Sequence, residues 1–213
     1  MTIAVKICGI TEPREIAAMA EAQADFVGFV YYPRSKRHLT AEQLAPLAEI
    51  VPPQMQRVLL MVNPTDKELA AMVTAAKPDY LQLHGEETPS VCAELKETTG
   101  LKIIKAIGIA EAADLALAEN YAGIADILLF DAKPAPGAMH GGNGLRFDWP
   151  LMAGYDGSTP WMLSGGLTAD NVALARKLTG AQMFDVSSGV ENETGKKDAT
   201  KITGFIQAAR TEA

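Results

Sequence analysis

The chain is short of most features that would place it in a specialised class. It has only 2 cysteines in 213 residues, Cys8 and Cys92, too few and too far apart for the disulfide framework that staples small secreted folds. A reducing cytoplasm is therefore the expected setting. Its 3 histidines, His38, His84 and His140, show no pairing at metal-ligand spacing, so no metal site is expected. No G-x-G-x-x-G links a strand to a helix, which removes the dinucleotide fingerprint and leaves no cofactor expected. Basic charge is scarce as well. The 19 Lys and Arg against 26 Asp and Glu give a net charge of −7, the wrong sign for nucleic-acid phosphates or an anionic membrane surface. The opening M-T-I-A-V-K-I-C-G-I-T has no basic head followed by a long apolar stretch, so it does not read as a secretory signal. No run approaches the roughly 20 apolar residues that a membrane span needs.

What is present is an alternation. Apolar residues make up 48% and charged residues 21%, the balance of a globular chain able to bury one continuous core, and a single domain over 1–213 is expected. β-prone runs at 3–8, 25–30, 56–62, 79–83, 101–106, 125–130, 160–164 and 182–186 alternate with helical segments. The latter fall at 12–22, 40–50, 65–76, 88–99, 110–121, 168–178 and 198–210, with a weaker one at 147–153. Thr40 with Gln43 and Thr65 with Glu68 fit capping boxes, and Thr11 then Pro13 reads as a helix start. Strand–helix repetition implies a parallel sheet, and this many units favour an α/β fold closed into a (β/α)8 TIM barrel, because closure removes both edges. An open doubly wound sheet is the alternative. The long irregular stretch 131–146 has the length of an active-site lid.

In such a barrel the working residues sit where strands end and βα loops begin. Strand 7 runs into Ser164-Gly165-Gly166 and strand 8 into Ser187-Ser188-Gly189. Paired glycine loops of this kind let backbone N–H groups approach a phosphate, although each alone could be a plain tight turn. On strand 1, Lys6 and Cys8 share a face while Val5 and Ile7 share the other. A lysine is expected to avoid the apolar layer between strands and helices, so Cys8 should top the barrel interior. The plainer reading is a buried small hydrophobe, which is also the reading for Cys92. Ile127, Leu129 and Asp131 alternate onto one face and bring a carboxylate to the mouth, where a thiolate base and a carboxylic acid are the minimum kit for isomerisation by proton transfer. Asp131 as a loop-capping carboxylate is the bland alternative. A buried Lys6–Asp185 pair is expected beneath Cys8, tuning its thiol or merely bracing the barrel. The segment Tyr31-Tyr32-Pro33-Arg34-Ser35-Lys36-Arg37 carries three cations, one of which could fork onto a substrate carboxylate, unless the run is simply solvated.

Seven segments, taken in order, resemble the phosphoribosylanthranilate isomerase family of tryptophan biosynthesis. They are K-I-C-G-I-T at 6–11, D-F-V-G-F-V-Y-Y-P-R-S-K-R at 25–37, L-Q-L-H-G-E-E at 81–87, L-L-F-D at 128–131, G-G-N-G-L-R-F-D-W at 141–149, L-S-G-G-L at 163–167 and F-D-V-S-S-G-V-E at 184–191, the last followed by G-K-K-D at 195–198. The resemblance implies a cofactor-free enzyme, an intramolecular oxidoreductase, whose partner is a small phosphorylated molecule, N-(5-phosphoribosyl)anthranilate. It implies an Amadori rearrangement with Asp131 as general acid on the ribose ring oxygen and Cys8 as general base at C2′. It places Arg37 on the anthranilate carboxylate, His84 among the substrate-binding positions, and Gly165, Gly166, Ser188 and Gly189 around the phosphate. Asn143 stands where Ser or Thr is expected, and the stretch before Gly141 is long, so the flap and His140 are where this chain departs from the pattern. The rival readings are another phosphate-barrel enzyme such as indole-glycerol-phosphate synthase, whose rim-lysine motifs are missing here, or a non-catalytic phosphometabolite-binding barrel. No apolar surface stripe is evident, and a monomer is expected.

Overall fold

Eight short parallel strands, each too apolar on its outer face to meet water, are covered by helices and close into a ring. The computed structural model describes residues 3–133, 146–193 and 195–211. The expected lid, with His140 and Gly141, Gly142, Asn143 and Gly144, lies outside the described residues except for its two ends. The strands are β1 (Ala4–Cys8), β2 (Phe26–Tyr31), β3 (Gln56–Met61), β4 (Tyr80–Leu83), β5 (Lys102–Ile109), β6 (Ile127–Ala132), β7 (Trp161–Leu163) and β8 (Met183–Val186), and they form a closed barrel in chain order. β1 pairs with both β2 and β8, with Lys6 opposite Phe26 on one side and Asp185 on the other. The open-sheet alternative is thereby excluded.

The α-helices are α1 (Pro13–Glu21), α2 (Ala41–Glu49), α3 (Asp66–Ala76), α4 (Pro89–Thr99), α5 (Val172–Thr179) and α6 (Ala199–Arg210). Both anticipated capping boxes form: Thr40 and Gln43 exchange bonds at the start of α2, as do Thr65 and Glu68 at the start of α3. At α1 the cap is Glu12, one residue later than Thr11, with Pro13 in the first turn. The stretch expected as a helix at 110–121 is instead a 3₁₀ segment, Ala112–Tyr121. Its bulky apolar residues cannot all face inward, since Leu115 is buried while Leu117 is exposed. A second 3₁₀ segment, Trp149–Gly154, takes the place of the weak helix. α5 starts four residues later than expected because the Asn171 side chain accepts from Thr168 N and donates to Gly166 O, converting 168–171 into a capping turn. A small hairpin, β9 (Glu191–Glu193) with β10 (Lys196–Lys197), follows β8 and was not anticipated.

Alternation along the strands sorts the core into two layers. Val5, Ile7, Val27, Phe29, Leu59, Met61, Leu81 and Leu83 join the helices in the outer layer. Phe26, Val58, Ile104, Ile127, Leu129 and Met162 fill the lower barrel interior. At the bottom, Asp25, Asp79 and Asp126 each use Oδ2 to accept from a neighbouring strand, at Val5 N (2.7 Å), Arg57 N (2.7 Å) and Ile103 N (2.8 Å). That end is tied shut by backbone–carboxylate bonds, leaving the opposite rim for chemistry.

Candidate active site

Above the apolar plug, the interior positions change character. Lys6 and Cys8 on β1 point inward as expected, and Lys6 Nζ donates to Asp185 Oδ1 at 2.7 Å with its own side chain fully buried. Asp185 also accepts from Ser164 Oγ at 3.3 Å, so one carboxylate links β1, β7 and β8 below the rim. Room for the thiol comes from Gly28, paired with Cys8 in register: a side-chain carbon there would lie 2.9 Å from Sγ and 3.2 Å from Lys6 Cε. Burial pushes the Cys8 thiol above its ordinary range. Lys6 pulls the other way and Asp185 opposes Lys6, but burial is the largest effect, so the resting group is a thiol rather than the enriched thiolate that a nearby ammonium alone would give. The Lys6 ammonium loses stability through burial and regains more from Asp185, which holds it above its ordinary value.

Asp131 closes the inward face of β6. Its Oδ1 accepts from Ala132 N at 2.8 Å and its Oδ2 lies 3.5 Å from His84 Nε2. The two side chains keep 13% and 9% of their surface, enough for a ligand to reach. His84 follows β4, two strands away, and reaches Asp131 because the intervening β5 presents small side chains, with Ala106 beside the interior cluster and Gly108 opposite Asp131 in register. Behind His84 stands Gln82, whose amide contacts Nδ1 at 2.9 Å. With the amide nitrogen donating, the ring proton sits on Nε2 and faces Asp131. Turning the amide over makes Oε1 the acceptor and moves the ring proton to Nδ1, so that Nε2 faces Asp131 as an acceptor. Gln82 Oε1 has no partner among the described residues. Gln82 escaped the sequence reading, although a glutamine at an inward position of an apolar strand is the signal that could have found it.

The loop carrying His84 is clamped from the other side. Lys105 Nζ donates to Leu83 O (3.2 Å), Gly85 O (2.8 Å) and Glu87 Oε2 (2.9 Å). Lys105 lies in the outer layer, against the expectation that a strand lysine avoids it; the carboxylate and two carbonyls repay its burial. Cys92, nearby in α4, is fully buried, and burial raises its thiol to about 11, which agrees with a packed and inert group.

The glycine loops adjoin one another after β7 and β8. Gly165 and Gly166 have φ of 88° and 63°, a left-handed pair that turns successive N–H groups toward one side. Among the described residues the backbone N–H groups of Gly165, Gly166, Ser188 and Gly189 donate to no backbone or side-chain acceptor. In ring order the strands run β6, β7, β8, β1, so this cradle occupies the arc between Asp131 and Cys8.

Arg37 is not solvated. Its Nε and Nη2 donate to Glu191 Oε1 and Oε2 at 2.7 and 2.9 Å, and both side chains keep only 5% of their surface. Glu191 also accepts from Lys197 Nζ at 2.6 Å and Gly195 N at 3.1 Å. Lys197 further donates to Ser187 O and Oγ, both at 3.1 Å, while Ser187 Oγ donates to Cys8 O at 2.9 Å. Burial pulls Lys197 below its ordinary range and the nearby Arg37 guanidinium adds to this, while the ionised Glu191 beside it opposes both. Glu191 itself pays for its burial with the Arg37 and Lys197 bonds, which bring its carboxyl from 4.5 to about 2. A carboxyl depressed on folding contributes stability that is complete above its ordinary value and disappears as pH falls through the folded one. The stability difference between wild type and Glu191→Gln is therefore expected to be constant above about pH 5 and to shrink as the pH falls from 4.5 toward 2. Urea unfolding at stepped pH measures it. A difference independent of pH over that range would remove Glu191 as the responsible carboxylate.

Known proteins resemble this chain along its whole length. The sequence profile described as N-(5'phosphoribosyl)anthranilate (PRA) isomerase matches residues 5–208. The N-(5'-phosphoribosyl)anthranilate isomerase of Parvibaculum lavamentivorans is 50% identical over 213 residues, covering 99% of both chains. Among solved structures, phosphoribosyl anthranilate isomerase from Thermotoga maritima superposes with a TM-score of 0.86 at 36% identity, covering 98% of each chain. A phosphoribosyl anthranilate isomerase in complex with reduced 1-(o-carboxyphenylamino)-1-deoxyribulose 5-phosphate superposes with a TM-score of 0.84 at 34% identity over the same share.

Proposed function

This chain belongs to the N-(5'-phosphoribosyl)anthranilate isomerase family, and from that premise we infer how its rim carries out the isomerisation. The reaction converts N-(5-phosphoribosyl)anthranilate to 1-(2-carboxyphenylamino)-1-deoxyribulose 5-phosphate, an internal oxidoreduction in which C2′ is oxidised and C1′ reduced. Asp131, protonated, gives its proton to the ring oxygen as the C1′–O bond breaks, and the nitrogen lone pair forms an iminium. Cys8 acts from its minor thiolate form, in which the proton it carries at rest resides instead on Asp131; the thiolate removes the C2′ proton, and the electron pair moves through the enol to neutralise nitrogen. Return of that proton to C1′ and loss of the C2′ hydroxyl proton to the Asp131 carboxylate give the ketone and restore both groups. Atoms and charge balance with no added reagent.

One observation carries this reading: a thiol and a carboxyl group close the inward faces of β1 and β6, with the glycine cradle on the arc between them. A phosphate held by Gly165, Gly166, Ser188 and Gly189 would bring the ribose between acid and base. Arg37 and His84 lie in the loops after β2 and β4, on the longer arc, where the arylamine would lie. The decay of anthranilate-type fluorescence when purified protein meets the substrate tests the activity, and persistence of the signal at micromolar enzyme would overturn it.

The cradle makes a separate prediction. A side-chain carbon on Gly189 would collide with Leu167 O, a backbone atom that cannot swing aside. Gly189→Ala should therefore part the two loops, weakening inhibition by inorganic phosphate by about tenfold and raising KM similarly, with a smaller change in kcat. Unaltered phosphate inhibition would move the phosphate elsewhere. All groups invoked here come from one chain, which favours a monomeric working unit of a single domain over 1–213, checked by sedimentation. A thiol base needs a reducing compartment, so the cytoplasm is the proposed setting.

A further inference from the structure

Arg37 is held in a way that its substrate contact does not by itself require. A guanidinium offers two forks, one along its Nε–Nη2 side and one at its Nη1–Nη2 end. The side fork is fully taken by the two oxygens of Glu191. The end fork donates to nothing among the described residues. The aliphatic stem is equally confined, because Arg37 Cδ lies where a side chain on Gly9 would be, next to Cys8. Glu191 is itself immobilised by Lys197, by Gly195 N and by Lys201 Nζ on its carbonyl at 2.6 Å. The β9–β10 hairpin thus serves as the mount of a carboxylate whose one accessible client is Arg37.

We propose that Glu191 is a positioning residue that sets substrate specificity: it occupies the side fork of Arg37 so that the end fork is presented, rigid and in one orientation, to the ortho carboxylate of the arylamine. This rests on the reading that Arg37 receives that carboxylate. Two effects of Glu191 oppose each other here. As a negative charge beside the guanidinium, it weakens the attraction of Arg37 for an anion. As a clamp, it removes the rotamer freedom that a long side chain otherwise loses on binding. In a site this enclosed, bidentate geometry decides the contact, and the clamp prevails.

The opposition makes the proposal testable by sign. Glu191→Gln removes the charge and turns one acceptor into a donor aimed at Arg37, releasing the fork. KM for the anthranilate-derived substrate is expected to rise about tenfold, with kcat falling less. KM for the analogue made from aniline, which lacks the carboxylate but keeps the phosphate and the reacting carbons, should move less than about twofold. A general loss of packing would raise both alike. An unchanged or lower KM for the anthranilate substrate would mean that charge, not orientation, governs the site, and overturns the proposal. Glu191→Asp, which keeps the charge on a shorter arm, is expected to recover part of the discrimination between the two substrates, and no recovery counts against orientation. If neither variant folds, Glu191 is a brace and the proposal fails. Arg37→Lys separates this from the underlying reading. If it retains the discrimination, the assignment of Arg37 falls; if it loses discrimination while Glu191→Gln keeps it, only the role of Glu191 falls.

Discussion

Asp131→Asn is expected to lower kcat by roughly 10²–10⁴-fold while KM changes little, and Cys8→Ser by a similar factor, since that is the range a single positioned acid or base supplies. Asparagine preserves the shape and the bond from Ala132 N at 2.8 Å but has no proton to release. Ring opening then rests on water, a far weaker acid than a carboxylic acid. Serine preserves the position beside Lys6 but its hydroxyl is a far weaker acid than a thiol, so the alkoxide base is almost never present. Binding is expected to survive in both, because the glycine loops and Arg37, proposed to hold the substrate, follow other strands. The two losses should not multiply in the double mutant, as both groups serve one proton circuit. Single-turnover decay of substrate fluorescence measures them. Near-normal turnover in either variant would remove that residue from the circuit.

The second large effect is on stability. Lys6→Met strands Asp185 as a buried carboxylate with only Ser164 Oγ at 3.3 Å to satisfy it. Breaking a buried pair from one side costs about 3–5 kcal/mol, which for a chain of this length lowers Tm by roughly 10 °C. Removing both charges, in Lys6→Met with Asp185→Leu, should restore most of that loss, because the penalty lies in the unpaired ion rather than in the missing bond. The thiol gives an independent reading. Lys6 is the strongest group lowering the Cys8 thiol against its burial, so the single variant should titrate at still higher pH than wild type. An unshifted thiol curve together with the stability loss would reduce the pair to a brace.

The helices and strands were legible because their signals are local. Alternation over two residues placed Cys8 and Asp131 inward, and the Thr-x-x-Gln and Thr-x-x-Glu boxes fixed two helix starts. The same logic held for Lys6, which points into the barrel and meets Asp185, but failed for Lys105, which lies in the helical layer and is accommodated there by Glu87 and two carbonyls from elsewhere in the chain. The 3₁₀ segment Ala112–Tyr121 was read as a helix because its composition suits one, though no single face of it could be apolar. Glu191 carried no local mark of its role at all: it reads as one more acidic residue near a loop.

By itself, then, the sequence determined the repeating unit, favoured the closure of eight such units over an open sheet, and showed which strand ends carry a thiol, a carboxyl group and paired glycines. Those are properties of neighbours along the chain, set by side-chain period and backbone freedom. The Lys6–Asp185 pair across 179 residues followed from the same alternation once strands 1 and 8 are neighbours, whereas only the tertiary structure decided that Arg37 meets Glu191 across 154. Folding the chain back over that length leaves no trace in local composition, because the attraction exists only after the surrounding apolar core has excluded water from both partners.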